Sequence, residues 1–191
     1  VMKKDAIEGK CPPILQGKTL GMIFEKHSTR TRISFEVGMV QLGGHAMYMN
    51  ANDLQIGRGE SIYDTGNVLS GYLDAVMIRA NSHEMVEELA KHSSIPVING
   101  LTDMFHPCQA LADLLTIIEV KGAVKGKRLA YVGDGNNVAH SLAIGAAHMG
   151  MHIAVATPEG FEFNPDLFVK AQKIAAENGG SLMQTSDPVE A

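Results

Sequence analysis

The sequence predicts an α/β fold, a parallel sheet with helices on both faces, and three observations carry that prediction. Short apolar runs alternate with helix-periodic segments along the chain, the pattern of βαβ units. The residues able to do chemistry recur just after those runs, at the carboxyl ends of expected strands, where open α/β sheets bind ligands. A short, polar, glycine-flanked stretch, Gly122 to Lys127, separates one such series from a second and is the expected hinge. The 191 residues suffice for one large or two small domains with a sizeable core.

The elements follow in order. Thr19 to Phe24 is an apolar run that reads as a buried strand, and it hands over to a helix with Ile33, Val37 and Val40 at i, i+4 and i+7. Gly43-Gly44 closes that helix, as expected where the backbone needs a positive φ. Ala46 to Met49 is a second short strand. Ala51 to Gly59 is polar, holds two glycines and reads as a mobile loop. Glu60-Ser61 opens a helix with Ile62, Val68, Leu69 and Tyr72 on one side. Ala75 to Ile78 is a strand with Arg79 at its carboxyl end, His83 to His92 a helix, and Ile95 to Asn99 a strand whose Pro96 suits a start or an edge. Leu101 to Gln109 is a loop running into a helix with Leu111, Leu114, Leu115 and Ile118. Beyond the hinge come strand Arg128 to Val132, helix Val138 to Met149, strand Ile153 to Ala156, helix Asn164 to Glu177 and strand Ser181 to Gln184. There is no internal repeat or low-complexity tract.

Bulk properties exclude several classes. A formal charge of -5 argues against a general nucleic-acid binder, though a small basic pocket can sit in an acidic protein. Two cysteines, Cys11 and Cys108, make no disulfide framework, so a reducing compartment is the simplest reading. The eight histidines are scattered, with no CxxC or HExxH spacing, so no metal site is expected. No apolar run approaches the ~18 residues of a membrane span and the start lacks a signal-peptide core, so a cytoplasmic protein without membrane partners is expected.

The chemistry concentrates at the first strand-to-helix handover, His27-Ser28-Thr29-Arg30-Thr31-Arg32. Unpaired N–H groups and the positive end of the helix dipole favour an anion there. Three hydroxyls and two guanidinium groups could supply most of a phosphate's hydrogen bonds, although an ordinary N-cap with solvated arginines remains open on chemistry alone. No glycine-rich P-loop is present. Arg79, His106 with Gln109, and Asn136-Asn137 fall at other strand ends. Singly, each could be a surface, turn or cap residue; their expected convergence on one sheet edge is the reason to group them. Gly133-Asp134-Gly135-Asn136-Asn137-Val138 partly mimics the dinucleotide fingerprint, but the third glycine is missing and Ala154-Val155-Ala156-Thr157 ends the next strand without the ribose-binding acid.

Two motifs bring a resemblance. Ser28-Thr29-Arg30-Thr31-Arg32 resembles the carbamoyl-phosphate motif of the aspartate and ornithine carbamoyltransferases, and His106-Pro107-Cys108-Gln109 resembles that family's second signature. The resemblance covers essentially the whole chain. It implies a carbamoyl-phosphate-binding domain over residues 1–121 and the start of a second, Rossmann-like, ornithine-binding domain over residues 122–191. It also implies that the chain starts in the tail of the family's first helix and stops inside the second domain, so that this piece alone would be inactive.

The resemblance further implies site roles. Ser28, Thr29, Arg30 and Thr31 would hold the phosphate, Arg79 would bridge phosphate and carbonyl oxygen, His106 would bond the carbonyl, and Gln109 would orient the carbamoyl amide. Arg30, Arg79 and His106 would thus be the catalytic residues. The segment from Gly133 with His140-Ser141 resembles the ornithine-type branch, where Asn137 would contact the amino-acid end of ornithine. Gln55, in a loop where aspartate-type members carry a lysine, points the same way and would reach a neighbouring subunit of a trimer. The implied reaction carries the carbamoyl group to the δ-amino group of ornithine, giving citrulline and phosphate, without metal or cofactor. The family's reactive cysteine and its Asp and Ser-Met-Gly residues are absent from these 191 residues, and Cys108 is not that cysteine. Aspartate, putrescine or acylated ornithine therefore remain alternative acceptors, and a non-catalytic anion- or nucleotide-binding module is the alternative of another class.

Overall fold

The computed structural model describes residues 2–56 and 59–191. Contacts divide the chain into two compact units, Val1–Gly100 and Leu101–Ala191.

In the first unit the strands are β1 (Thr19–Phe24), β2 (His45–Asn50), β3 (Ala75–Arg79) and β4 (Val97–Leu101), in the order β2-β1-β3-β4. Strand β1 pairs in parallel with β2 and with β3, and Phe24 stands opposite Arg79. The helices are α1 (Met2–Ile7), α2 (Thr29–Gln41), α3 (Ile62–Tyr72) and α4 (His83–His92). Because side chains alternate along a strand, the central strands feed two cores. Leu20, Met22, Phe24 and Met77 join Met39 of α2 on one face, while Ile23, Val76 and Ile78 join Val86 and Leu89 of α4 on the other. Burial on both faces explains why β1 and β3 read as continuous apolar runs. Gly21 lets Leu73 and Met49 pack close to β1: a Cβ there would lie 2.5 Å from Leu73 Cδ1 and 2.7 Å from Met49 Cε. Pro96 falls just before β4, where its missing N–H breaks no ladder.

The second unit contains α5 (Pro107–Lys121), β5 (Arg128–Val132), α6 (Asn137–His148), β6 (His152–Ala156), α7 (Pro165–Glu177) and β7 (Ser181–Thr185). Its sheet is parallel in the order β5-β6-β7. Alanines 139, 143, 146 and 147 pave the buried side of α6 and let it approach closely, and Leu114 of α5 joins the same core. Val124, in the stretch expected to be a hinge, is buried in that core as well. Among the described residues no helix is long and apolar enough to cross a membrane.

Three expectations need correction. The stripe Ile33, Val37 and Val40 does mark a helix, but it is exposed (54%, 46% and 67%). The stripe of α2 that packs inward is Phe35 and Met39, because the position of the β1–α2 turn, and not the apolar count, sets which side meets the sheet. In α3, likewise, Ile62 and Leu69 pack against the core, whereas Val68 and Tyr72 face out. The loop expected to be mobile is anchored: Ala51–Asp53 forms a single 3-10 turn, and Leu54 and Ile56 pack against the first unit's core. Gly57 and Arg58 of that loop lie outside the described residues.

Candidate active site

The expected phosphate turn sits at the N-terminus of α2. Ser28 has extended backbone and is the N-cap; its Oγ accepts from the Thr31 N–H (3.3 Å) and donates to Thr31 Oγ1 (2.9 Å). By helix geometry the N–H groups of Thr29 and Arg30 then remain as donors for a ligand. The absence of acidic residues from the first turn keeps this end positive.

Parallel pairing of β1 with β3 brings Arg79 to the same turn, with Nη1 at 3.5 Å from Thr31 Oγ1. The Nε of Arg79 is buried without a hydrogen-bond partner. Burial, and then the nearby Arg30 guanidinium, push Arg79 below its ordinary pKa. A partly desolvated Arg79 beside the exposed Arg30 favours an anion at this helix end, where a tetrahedral oxyanion has guanidinium and N–H donors to accept from.

Two neighbours sharpen the arrangement. Glu25, just after β1, donates its N–H to the Arg79 carbonyl (2.9 Å), and its carboxylate accepts from Asn81 N (2.6 Å) and Nδ2 (3.1 Å). The acid beside the turn is thereby committed to fixing the backbone after β3. Arg32, expected to offer a second guanidinium from the turn itself, lies 4.0 Å from the Tyr48 ring centroid and 3.3 Å from Glu36. The second cation therefore comes from β3. Gln55 is exposed between the anchored Leu54 and Ile56, and lines a surface depression with Gly59, Glu60 and Asp64, not with Ser28–Thr31.

His106, Gln109 and Asn137 fall in the second unit. His106 is the N-cap residue of α5, Pro107 fills the first helical position, and the His106 N–H donates to Ser141 Oγ at 2.7 Å. Gln109 Nε2 donates to Asp113 Oδ1 at 2.9 Å. A carboxylate only accepts, so the amide nitrogen is the atom turned to Asp113, which leaves Oε1 to face an N–H donor such as a carbamoyl amide. Asn137 Nδ2 donates to the Thr102 carbonyl at 2.7 Å, tying the start of α6 to the loop that leads to His106. Cys108 is half-buried, and burial pushes its thiol pKa up, so it is a poor nucleophile.

The glycines of the dinucleotide-like segment have packing reasons. A Cβ on Gly135 would lie 2.5 Å from the backbone of Glu162 and Phe163, and Gly133 has φ 151°. Asn136 caps α6 through its Oδ1, which accepts from Val138 N (3.0 Å) and Ala139 N (3.2 Å). Among the described residues no group of three His, Cys, Asp or Glu side chains is placed to hold a metal ion.

Sequence reasoning gave no role to two residues of α6. His140 is 8% exposed; its Nδ1 lies 3.0 Å from the Met104 carbonyl, and its Nε2 is 3.3 Å from the Asn164 N–H. Ser141 holds the His106 N–H. The signal available in sequence was spacing: residues 137, 140 and 141 share one helix face.

Residues 1–119 match the family model for the aspartate/ornithine carbamoyltransferase carbamoyl-P binding domain, and residues 125–191 match that for the Asp/Orn binding domain. The chain is 60% identical over 187 residues to an ornithine carbamoyltransferase of Halalkalibacterium halodurans, covering 98% of this chain and 59% of that protein. It is 60% identical to the ornithine carbamoyltransferase of Bacillus subtilis, covering 96% of this chain and 58% of that one. The solved ornithine carbamoyltransferase of Pyrococcus furiosus superimposes with a TM-score of 0.95 at 56% identity, covering 98% of this chain and 60% of that chain. The 191 residues thus span about six-tenths of the length of the relatives they match. Over both matched segments, the chain belongs to the aspartate/ornithine carbamoyltransferase family.

Proposed function

We propose that the whole protein is an ornithine carbamoyltransferase: it transfers the carbamoyl group of carbamoyl phosphate to the δ-amino group of ornithine, giving citrulline and phosphate. The observation that carries this reading is Arg79, brought by β3 to within 3.5 Å of Thr31 Oγ1 at a helix end that bears Arg30 and whose Ser28 and Thr31 hydroxyls are ordered by the cap. Relatives named ornithine carbamoyltransferase at 60% identity support ornithine over aspartate as acceptor, as does the lack of an arginine in the segment 133–141. The carbamoyl-phosphate domain would end at residue 121 and the ornithine domain begin at 122, a division supported by the ends of the matched segments at 119 and 125.

In this reading Ser28, Thr29, Arg30 and Thr31 hold the phosphate, Arg79 spans phosphate and carbonyl oxygen, His106 donates to that oxygen, and Gln109 accepts from the carbamoyl amide. The neutral δ-amine attacks the carbonyl carbon, a C–N bond forms, and negative charge gathers on the carbonyl oxygen. The C–O bond to phosphate then breaks with its electron pair going to the leaving phosphate, which takes up the proton lost by the amine nitrogen. Fixed donors stabilise the displaced charge more than they stabilise the substrate, which is what raises turnover. Asn137 would contact the amino-acid end of ornithine, its amide held in place by the Thr102 carbonyl. The protein would act in arginine metabolism in the cytoplasm as a trimer or a multiple of trimers, with Gln55, on its anchored surface loop, serving a neighbouring subunit.

The test is calorimetry and turnover with the full-length protein. Carbamoyl phosphate and inorganic phosphate should bind, NAD should not, and citrulline should form from ornithine while aspartate, putrescine and acetylornithine are poor acceptors. Phosphate density away from residues 28–31 in a soaked crystal would count against the site. For the shared subunit site, hybrids of Gln55→Ala and Arg30→Ala chains should regain activity that neither parent has.

A further inference from the structure

We infer that His140 is a positioning residue for the loop that carries His106, acting as a neutral, Nδ1-protonated imidazole. The inference rests on the function proposed above. Three side chains of α6 each take one backbone group of residues 102–106, at every second residue. Asn137 donates to the Thr102 carbonyl, His140 faces the Met104 carbonyl, and Ser141 accepts from the His106 N–H. Within the segment, Thr102 and Phe105 close a turn on each other, and the Thr102 and Met104 carbonyls and the His106 N–H are met by a helix more than thirty residues away, so the position of His106 depends on α6.

The tautomer is fixed by chemistry. A backbone N–H can only donate, so the Asn164 N–H at 3.3 Å makes Nε2 the acceptor. The proton then sits on Nδ1 and is donated to the Met104 carbonyl at 3.0 Å. The ring stands edge-on to Phe163 at 4.6 Å and to Phe105 at 6.4 Å, which fixes its plane. Asn164 is itself the N-cap of α7, so one imidazole bridges the His106 loop and the start of α7. Few side chains can donate to one backbone group and accept from another in this way. Glutamine can, whereas leucine fills similar space and can do neither.

Full-length enzyme is compared as wild type, His140→Leu, His140→Gln and Ser141→Ala, with His106→Ala as reference. His140→Leu is expected to lower kcat roughly 10- to 100-fold, because small displacements of a transition-state donor are costly. Phosphate affinity and the KM for carbamoyl phosphate should stay within about threefold, since their grip lies at Ser28–Thr31 and Arg79. His140→Gln should recover most of kcat, and Ser141→Ala should lie between. Nitrogen-15 spectra should show His140 as the Nδ1-H tautomer, and His140→Leu should shift the ring signals of His106.

A folded His140→Leu with kcat within twofold of wild type would overturn the inference, as would equal losses in kcat and phosphate affinity, or an Nε2-H tautomer. If His140→Leu does not fold, an active Gln variant with the expected wild-type tautomer supports the inference, and an inactive folded Gln variant overturns it. Wild-type enzyme that makes no citrulline, or an unimpaired His106→Ala, would instead sink the functional reading, while the His106 ring shift would still report on the clamp.

Discussion

The two site regions are built on opposite plans. At Ser28–Thr31 the ligand-facing groups come from one short stretch whose cap, hydroxyl pair and helix end lie within four residues, with Arg79 added by the neighbouring strand. At His106 the residue itself is placed from elsewhere, through Asn137, His140 and Ser141 on a different helix. A local site is already formed once its helix starts, whereas a clamped loop is only as well placed as the packing between two elements. Under the proposed function, the first plan would serve a fixed anion grip and the second a donor that must meet charge only as it develops.

That contrast can be broken most severely at Arg79. Arg79→Ala in the full-length enzyme should cost on the order of 10²–10³ in kcat/KM for carbamoyl phosphate, with phosphate binding weakened in parallel, because a desolvated charged donor is lost. Arg79→Lys should not recover it, since an ammonium cannot span two oxygens as a fork does. Equal kcat/KM in Arg79→Ala, measured by initial rates, would mean that the cluster is not the grip.

At the lower end of that range, His106→Ala should lower kcat on the order of 10²-fold and leave phosphate affinity within about threefold. Titration calorimetry beside turnover separates the two regions: a parallel loss of phosphate binding would erase the distinction.

Ser28→Ala and Ser141→Ala compare the plans in stability. Loss of the Ser28 cap should cost about 1 kcal/mol in urea unfolding. Loss of the Ser141 acceptor leaves the His106 N–H without that bond and should cost about 1–3 kcal/mol. A larger loss at Ser28 than at Ser141 would reverse the ranking.

The smallest effect is in pH. Burial pushes His140 below its ordinary pKa, and its bond to the Met104 carbonyl offsets this only in part. The unfolded chain therefore binds the proton more readily, so this contribution is complete above about pH 6.5 and is lost as pH falls toward the lowered folded value. The Tm of His140→Gln should consequently fall less than wild type between about pH 7 and pH 5. Parallel Tm curves would show that the imidazole is not buried neutral.

The sequence made the local plan readable and the clamped one only partly so. The handover from β1 to α2, the positive φ of Gly43 (83°) and Arg79 at a strand end all depend on near neighbours, and each is where the pattern puts it. His140 and Ser141 could be quoted but given no role, because their partners lie 36 and 35 positions away and are backbone atoms with no residue signature. Arg32 shows the same limit in reverse: it sits inside the motif, yet Tyr48 on β2 claims it. The inward stripe of α2 was missed because Ile33, Val37 and Val40 are as apolar as Phe35 and Met39, and periodicity alone cannot say which of two apolar sides meets the sheet.

The closeness of Arg30 and Arg79 has a consequence for the solution around the protein. Like charges near one another repel, so the bare turn favours a bound anion. Under the proposed function, sulfate, phosphate or pyrophosphate in the buffer would each compete with carbamoyl phosphate and stabilise the fold. Salt composition, as well as salt concentration, then belongs among the variables that set the measured affinity of this protein.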